Sequence, residues 1–223
     1  MVEPALQRDF TDRSHSTDVD ATSVRQEWAH LYGEFSPEYY AYYGANDTSE
    51  RIRELFDRHL TRESTILEVG CSSGRHLAYL HEHGFENLSG LDVNEDSFDV
   101  MAEVYPDLAA GIDFHETSIE AIIGEIDDDA FDGVFSVQTL QHIHPEAEWV
   151  FEELVRITDG CLLTAEIEKD AIAGQHTANY VQHAEGAIPI FYRNWRTVFT
   201  DRGCIESDAT ENGPITIRTF RPR

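Results

Sequence analysis

The chain has 223 residues, 41% of them hydrophobic, which suits one α/β domain with extensions. Against 43 Asp and Glu stand 16 Lys and Arg, with Lys169 the only lysine, for a formal net charge of −27. No apolar run reaches the ~18 residues of a membrane span, no basic stripe is present to meet a phosphate backbone, and Cys71, Cys161 and Cys204 are too scattered for a zinc ribbon or a disulfide framework.

The acidic residues run along the whole chain rather than gathering in a tail. Such a surface repels itself unless concentrated salt screens it, so the composition predicts a halophilic, salt-adapted acidic protein. The free cysteines and the lack of an apolar leader predict a cytoplasmic location.

Residues 1–20 have no apolar periodicity and are expected to form a mobile acidic tail, followed by a single domain over 21–223. Helical spacing dominates 21–60. In "TSERIRELFDRHL", Ile52, Leu55, Phe56 and Leu60 share a face, with Thr48 as the expected cap. Strands then alternate with helices. Strands are predicted at 65–69, 88–92, 112–115, 131–137 and 161–167, and helices at about 75–83, 95–105, 118–124, 146–157 and 192–201. Trp149, Val150, Leu154 and Ile157 are expected on the core side of the fourth of these helices. The stretch 168–190 reads as irregular. Two closing strands, about 203–208 and 214–220, flank "ENGP", a turn signature that predicts a terminal hairpin. Alternation of this kind means a doubly wound, mainly parallel sheet.

"LEVGCSSGRH" (67–76) sits where the first strand ends. In a doubly wound sheet, ligands bind beyond the carboxyl ends of the strands. Glycine there allows positive φ and a close approach to the backbone. Gly70 and Gly74 lack the central glycine of a dinucleotide fingerprint, which disfavours an NAD-dependent oxidoreductase. Asp92 ends the second strand and could accept hydrogen bonds from both hydroxyls of a ribose, a feature common to NAD and S-adenosylmethionine sites.

Together, "ILEVGCSSGRH", "LSGLDVNEDSF" and "FDGVFSVQTLQHIHP" resemble the ordered motifs of the class I S-adenosylmethionine-dependent methyltransferases, over roughly residues 50–220. The resemblance implies a Rossmann-like seven-stranded sheet whose last strand is antiparallel, and S-adenosyl-L-methionine as cofactor. Carried over position by position, Gly70 and Gly74 approach the methionyl part and Cys71 is a small loop residue beside them. Glu68 supports the loop or the ammonium group. Asp92 holds the ribose, Val93 and Ser118 border the adenine, and Val137 and Gln138 lie against the methionine end.

Methyl transfer from a sulfonium is an in-line displacement that needs alignment and exclusion of water, and for some acceptors a base. His142, just past the fourth strand, is the candidate general base, with His144 near it. A metal site from His142, His144 and Glu146 lacks a ligand of recognisable spacing, so no metal is expected. Substrate selection is placed on the helices of 21–60, as part of a lid, and on 168–196. Tyr39, Tyr40, His144, Tyr192 and Arg193 are the candidate contacts, and His176, Tyr180, His183 and Trp195 lie in the second segment. The fourth-strand sequence lacks the Pro-Pro-aromatic motif of base-amine methylation. With no basic patch, the partner predicted is a small molecule methylated on oxygen or nitrogen, a sugar-like metabolite among the candidates, not nucleic acid or membrane. A protein methyltransferase and a non-catalytic cofactor-binding module are the alternatives. Oligomeric state is not legible in these residues.

Overall fold

The computed structural model describes residues 20–168, 178–183 and 186–223. Residues 1–19 of the expected tail lie outside it. Asp20, the last of that stretch, instead caps the first helix, accepting from the backbone N–H of Thr22 at 2.9 Å and Ser23 at 3.0 Å.

Three helices come first: α1 (Ala21–Ala29), α2 (Pro37–Tyr43) and α3 (Asp47–His59). The cap of α3 is Asn46, not Thr48. Its side chain accepts from Thr48 and Ser49 N–H while Ser49 Oγ accepts from Asn46 N–H, a reciprocal box that leaves Thr48 inside the first turn. Ile52, Leu55 and Phe56 are buried on the inner face of α3, as their spacing requires.

The central sheet has seven strands: β1 (Thr65–Val69), β2 (Asn87–Asp92), β3 (Asp113–Glu116), β4 (Phe131–Val137), β5 (Thr158–Ile167), β8 (Ile205–Asn212) and β9 (Ile215–Arg221). Their spatial order is β3-β2-β1-β4-β5-β9-β8. β1 pairs in parallel with β2 and β4, while β9 runs antiparallel between β5 and β8. The terminal hairpin and the antiparallel last strand are therefore as expected. The connecting helices are α4 (Arg75–Glu82), α5 (Ser97–Val104), α6 (Pro106–Ala109), α7 (Ile119–Ile122), α8 (Val150–Arg156) and α9 (Trp195–Thr200).

The strand residues alternate between two apolar layers. Ile66, Phe135 and Leu163 pack with Ile52, Phe56, Leu77 and Leu80 on one face. Leu67, Val134 and Leu162 pack with Ile119, Val150, Phe151, Leu154 and Phe199 on the other. Burial on both faces is why β1 and β4 read as continuous apolar runs. Trp149 departs from expectation. It precedes α8 and is 47% exposed, while Val150, Leu154 and Ile157 are buried.

Two differences lie between β5 and α9. Part of the stretch read as irregular is a separate hairpin, β6 (Ala178–His183) with β7 (Gly186–Phe191). The helix expected from 192 begins only at Trp195, where the Asn194 side chain caps it at Thr197 N–H. Chain order reverses at β1: β2 and β3 lie to one side, β4 and β5 to the other. The loops after β1 and β4 therefore face each other across a crevice, the place where such sheets bind ligands.

Candidate functional site

Beyond the ends of β1, β2 and β4 is a cleft, open to solvent, whose lining mixes apolar and aromatic side chains with polar and charged ones.

The floor is the loop after β1. Gly70 and Cys71 N–H both donate to the Leu91 carbonyl, at 2.9 and 3.1 Å, which folds the loop over β2. Gly70 has φ +71°, and a Cβ there would stand 2.1 Å from Thr139 Oγ1. The glycine thus lets the β1 and β4 loops touch, a stricter demand than leaving room for a ligand. Gly74 does not line the cleft. At φ +77° it closes the turn into α4, and a Cβ there would meet Met101 at 2.7 Å and Leu108 at 3.2 Å. Its expected contact with a cofactor is corrected to helix packing.

Asp92 lies where its spacing placed it. Its carboxylate accepts from Ser72 N–H at 2.7 Å and Asn94 N–H at 2.8 Å, one on each oxygen. Burial pushes its pKa up, and hydrogen bonds from Asn94, Ser72, Ser97 and Val93 oppose the shift. Glu68 is buried at the loop with Oε2 lacking a hydrogen-bond partner. Burial raises its carboxyl well above the usual range, and the Arg75 guanidinium opposes this. A cationic group arriving there would satisfy that oxygen. Val93, Ser118, Val137, Gln138 and Cys71 line the cleft, as do Glu68, Gly70 and Asp92.

The far wall is the turn after β4, organised by a residue that the sequence pattern did not reveal. Glu166, at the end of β5, is fully buried. It accepts from Ser136 Oγ at 2.8 Å and from the backbone N–H of Thr139, Leu140 and Gln141 at 3.2, 3.1 and 3.4 Å. Burial pushes its pKa up to about 7 against the pull of those donors. Its strand context gave no signal of a role in a loop. Gln138 takes φ +52° at the start of this turn.

His142 reaches the cleft, but both ring nitrogens are held by protein groups. Nδ1 is 2.8 Å from the Pro189 carbonyl, so it carries the proton. Nε2 is 3.2 Å from Gln141 Nε2. The Gln141 amide orientation is set by Ile167 N–H, which donates to Oε1 at 3.0 Å. Its NH2 therefore donates to the imidazole lone pair. A base needs that lone pair, so the arrangement speaks against the role expected for His142. His144 also lines the cleft, its Nδ1 accepting Glu146 N–H at 3.2 Å.

A further wall is α1. Arg25 at its middle pairs with Glu120 at 3.2 Å, and Asn94 Nδ2 donates to the carbonyls of Trp28 and Leu31, both at 3.0 Å, at its C-terminal end. The Trp28 ring meets His142 edge-on at 4.7 Å. The helical segment expected as part of a lid contributes residues to the cleft lining, with Tyr40 from its tyrosine cluster. Tyr39 packs against Phe35, Tyr40 and Tyr43 instead.

Two other substrate candidates are corrected. Arg193 is 4% exposed and faces away from the cleft, donating to Glu148, to the Ile143 carbonyl and to the Phe191 carbonyl. Tyr192 is buried in the apolar layer. Trp195 is likewise buried, with Nε1 donating to the Ile167 carbonyl at 3.1 Å. The side chains of His176, Tyr180 and His183 lie outside the described residues. The sequence pattern also gave no sign of His76, which lines the cleft from α4 with Nδ1 2.7 Å from Ser49 Oγ. The described residues contain no cluster of His, Cys, Asp or Glu suited to a metal, and none of their helices is long and apolar enough to cross a membrane.

A methyltransferase-domain family model matches residues 66–159, which hold the glycine loop, Asp92 and the turn after β4. The fold recurs in the PH0226 protein of Pyrococcus horikoshii, with TM-score 0.65 and 16% identity over 86% of this chain and 100% of that one. It recurs in an S-adenosylmethionine-dependent methyltransferase of Mesorhizobium loti, with TM-score 0.59 and 14% identity over 84% of this chain and 99% of the other. It is also similar to the [4+2]-cyclase SpnF, with TM-score 0.61 and 16% identity over 86% and 87% of the two chains. No curated protein matches. The match over residues 66–159 is to a methyltransferase domain, and the fold is the one these S-adenosylmethionine-dependent methyltransferases share.

Proposed function

We propose that the protein transfers the methyl group of S-adenosylmethionine to an oxygen or nitrogen of a small molecule. The observation that carries this reading is the α1 wall. α1, which supplies Ala21, Val24, Arg25 and Trp28 to the lining, is held at its middle by Arg25–Glu120 and at its C-terminal end by Asn94, which favours a bounded cleft over an open groove. A folded protein or a duplex would need an open face there.

Asp92 would hold the ribose, with Val93 and Ser118 beside the adenine. Glu68 would take the ammonium group, since its orphaned Oε2 needs a donor. Bound in this way, the cofactor supplies an already activated methyl group. The chain's own work is then to align the acceptor and keep water out. His142 serves as a wall whose ring is fixed by Gln141, Pro189 and Trp28, and it takes no proton.

Calorimetric titration with S-adenosylmethionine, its demethylated product and NAD tests the cofactor. Radiolabelled methyl transfer into the small-molecule and protein fractions of a source-cell extract tests the acceptor class. Label confined to the protein fraction would overturn the small-molecule reading. Cofactor binding with no transfer to either fraction would favour a non-catalytic module, a live alternative because SpnF shares the fold and is described as a cyclase.

A further inference from the structure

Beside Asp92, Val93 and Ser118 the cleft is lined by Trp28 and Tyr40, and His76, His142 and His144 bring imidazoles to it. Near neutral pH, imidazole is the side chain best able to take a proton from an alcohol or an ammonium. Two of these rings, His142 and His144, have their lone pair already in use, and the third, His76, is held neutral by burial and Arg75.

For His142, the Gln141 amide donates to Nε2, while Nδ1–H donates to the Pro189 carbonyl. For His144, the backbone N–H of Glu146 donates to Nδ1, which puts the proton of the neutral ring on Nε2. For His76, the Ser49 hydroxyl lies 2.7 Å from Nδ1. The other acceptor within its reach, Asn46 Oδ1, is 3.4 Å away and already takes two backbone N–H groups. The hydroxyl thus has both His76 Nδ1 and Asn46 Oδ1 as partners. Burial and the adjacent Arg75 hold the ring well below the usual histidine range, so it stays neutral.

His76 and His144 thus carry ring N–H donors, and Arg75 adds a guanidinium that packs over the Tyr40 ring at 4.7 Å. Donors recognise an acceptor that already carries negative charge. From this donor-rich, base-poor lining we propose that the methyl acceptor is a small carboxylate, and that the product is its methyl ester. The proposal rests on the reading of the site as a small-molecule methyltransferase and narrows it.

The step balances without a base. A carboxylate oxygen attacks the methyl carbon and forms the O–CH3 bond. The S–CH3 bond breaks, and its electron pair returns to sulfur as the neutral thioether. The acceptor's negative charge and the sulfonium's positive charge cancel, and no proton moves. An alcohol would need a proton removed; the lone pairs of His142 and His144 are taken, and His76 is disfavoured as a proton acceptor by burial and Arg75.

The test uses the full chain, S-adenosylmethionine tritiated in the methyl group, and the small-molecule fraction of a source-cell extract. Mild alkali hydrolyses methyl esters to methanol and leaves methyl ethers and methylamines intact. The expected result is label that mild alkali releases as tritiated methanol. A second reading is the initial rate from pH 6 to pH 8. A free carboxyl group titrates near ~4, so the rate should change by less than about twofold. Alkali-stable label, or a rate rising about tenfold per pH unit, would overturn the carboxylate while leaving a small-molecule methyltransferase standing. Label only in protein, or none at all, would overturn both readings.

Discussion

Asp92 shows how one residue sets both structure and affinity. Its two oxygens already hold Ser72 and Asn94 N–H, so Asp92→Asn exchanges one acceptor for a donor that faces another donor. Hydrogen bonds to a charged group contribute about 1.5–3 kcal/mol. S-adenosylmethionine affinity should therefore fall roughly 10- to 100-fold by calorimetry, and unchanged affinity would remove the acid from the ribose. Gly70 makes a different prediction. A variant that merely filled ligand space would leave the fold intact, yet the Cβ of Gly70→Ala collides with Thr139 and strains a residue at φ +71°. The expected cost is about 1–3 kcal/mol of stability, seen as a lower melting temperature without any ligand. An unchanged melting temperature would mean that the two loops yield without cost. Both positions were picked out in the sequence, and both line the cleft. The glycine's true neighbour was not, because Thr139 lies 69 residues away along the chain and only the sheet order brings it close.

At the scale of elements, the strand–helix alternation was legible because each strand is a short apolar run bounded by turns. The β6–β7 hairpin was not, since its residues show no clean alternation and it pairs only with itself. The turn after β4 was legible as a motif but not as a construction, because its organiser, Glu166, sits inside β5. That carboxyl titrates at about 7 in the fold, against about 4.5 as its ordinary value. The native state therefore holds this proton more tightly than the unfolded chain does. The stabilisation is complete below about pH 4.5 and is lost as the pH rises through about 7. Glu166→Gln does not titrate and keeps one oxygen for the Ser136, Thr139 and Leu140 donors. Denaturant melts should show a decline in wild-type stability between pH 5 and pH 7.5 that is shallower in the variant. Parallel profiles would mean that the carboxyl is ionised throughout. The lid makes a separable prediction. Asn94→Ala frees the Trp28 and Leu31 carbonyls, each bond contributing about 0.5–1.5 kcal/mol. Amide exchange in α1 should quicken while that in the central strands stays as it was, and exchange quickening equally everywhere would mean that the bonds hold the whole fold rather than the lid.

Across the whole molecule, charge outweighs every local contact. Most of the described arginines are spent on carboxylates: Arg51 on Glu54 and Asp208, Arg62 on Asp57, Arg156 on Asp128 and Glu153, Arg218 on Glu168 and Glu206. Pairing cannot remove the imbalance, because 43 acidic residues face 16 basic ones. The unpaired carboxylates repel one another across the surface, over a screening length of ~30 Å at 0.01 M salt that shrinks to ~3 Å at 1 M. Salt has two opposing effects. It weakens exposed ion pairs, which contribute only about 0–1 kcal/mol each, and it screens a repulsion that involves every excess carboxylate at once. The second should prevail in a chain of net charge −27. The melting temperature should thus climb steeply between 0.01 M and 1 M KCl and level off once the screening length falls below the spacing of the charges. Sodium and potassium chloride should act alike, and an uncharged osmolyte such as sucrose at equal osmolality should reproduce little of the rise. A flat profile in KCl, or an equal gain with sucrose, would show that excluded solute rather than screened repulsion governs stability, and the salt adaptation inferred from composition would fall.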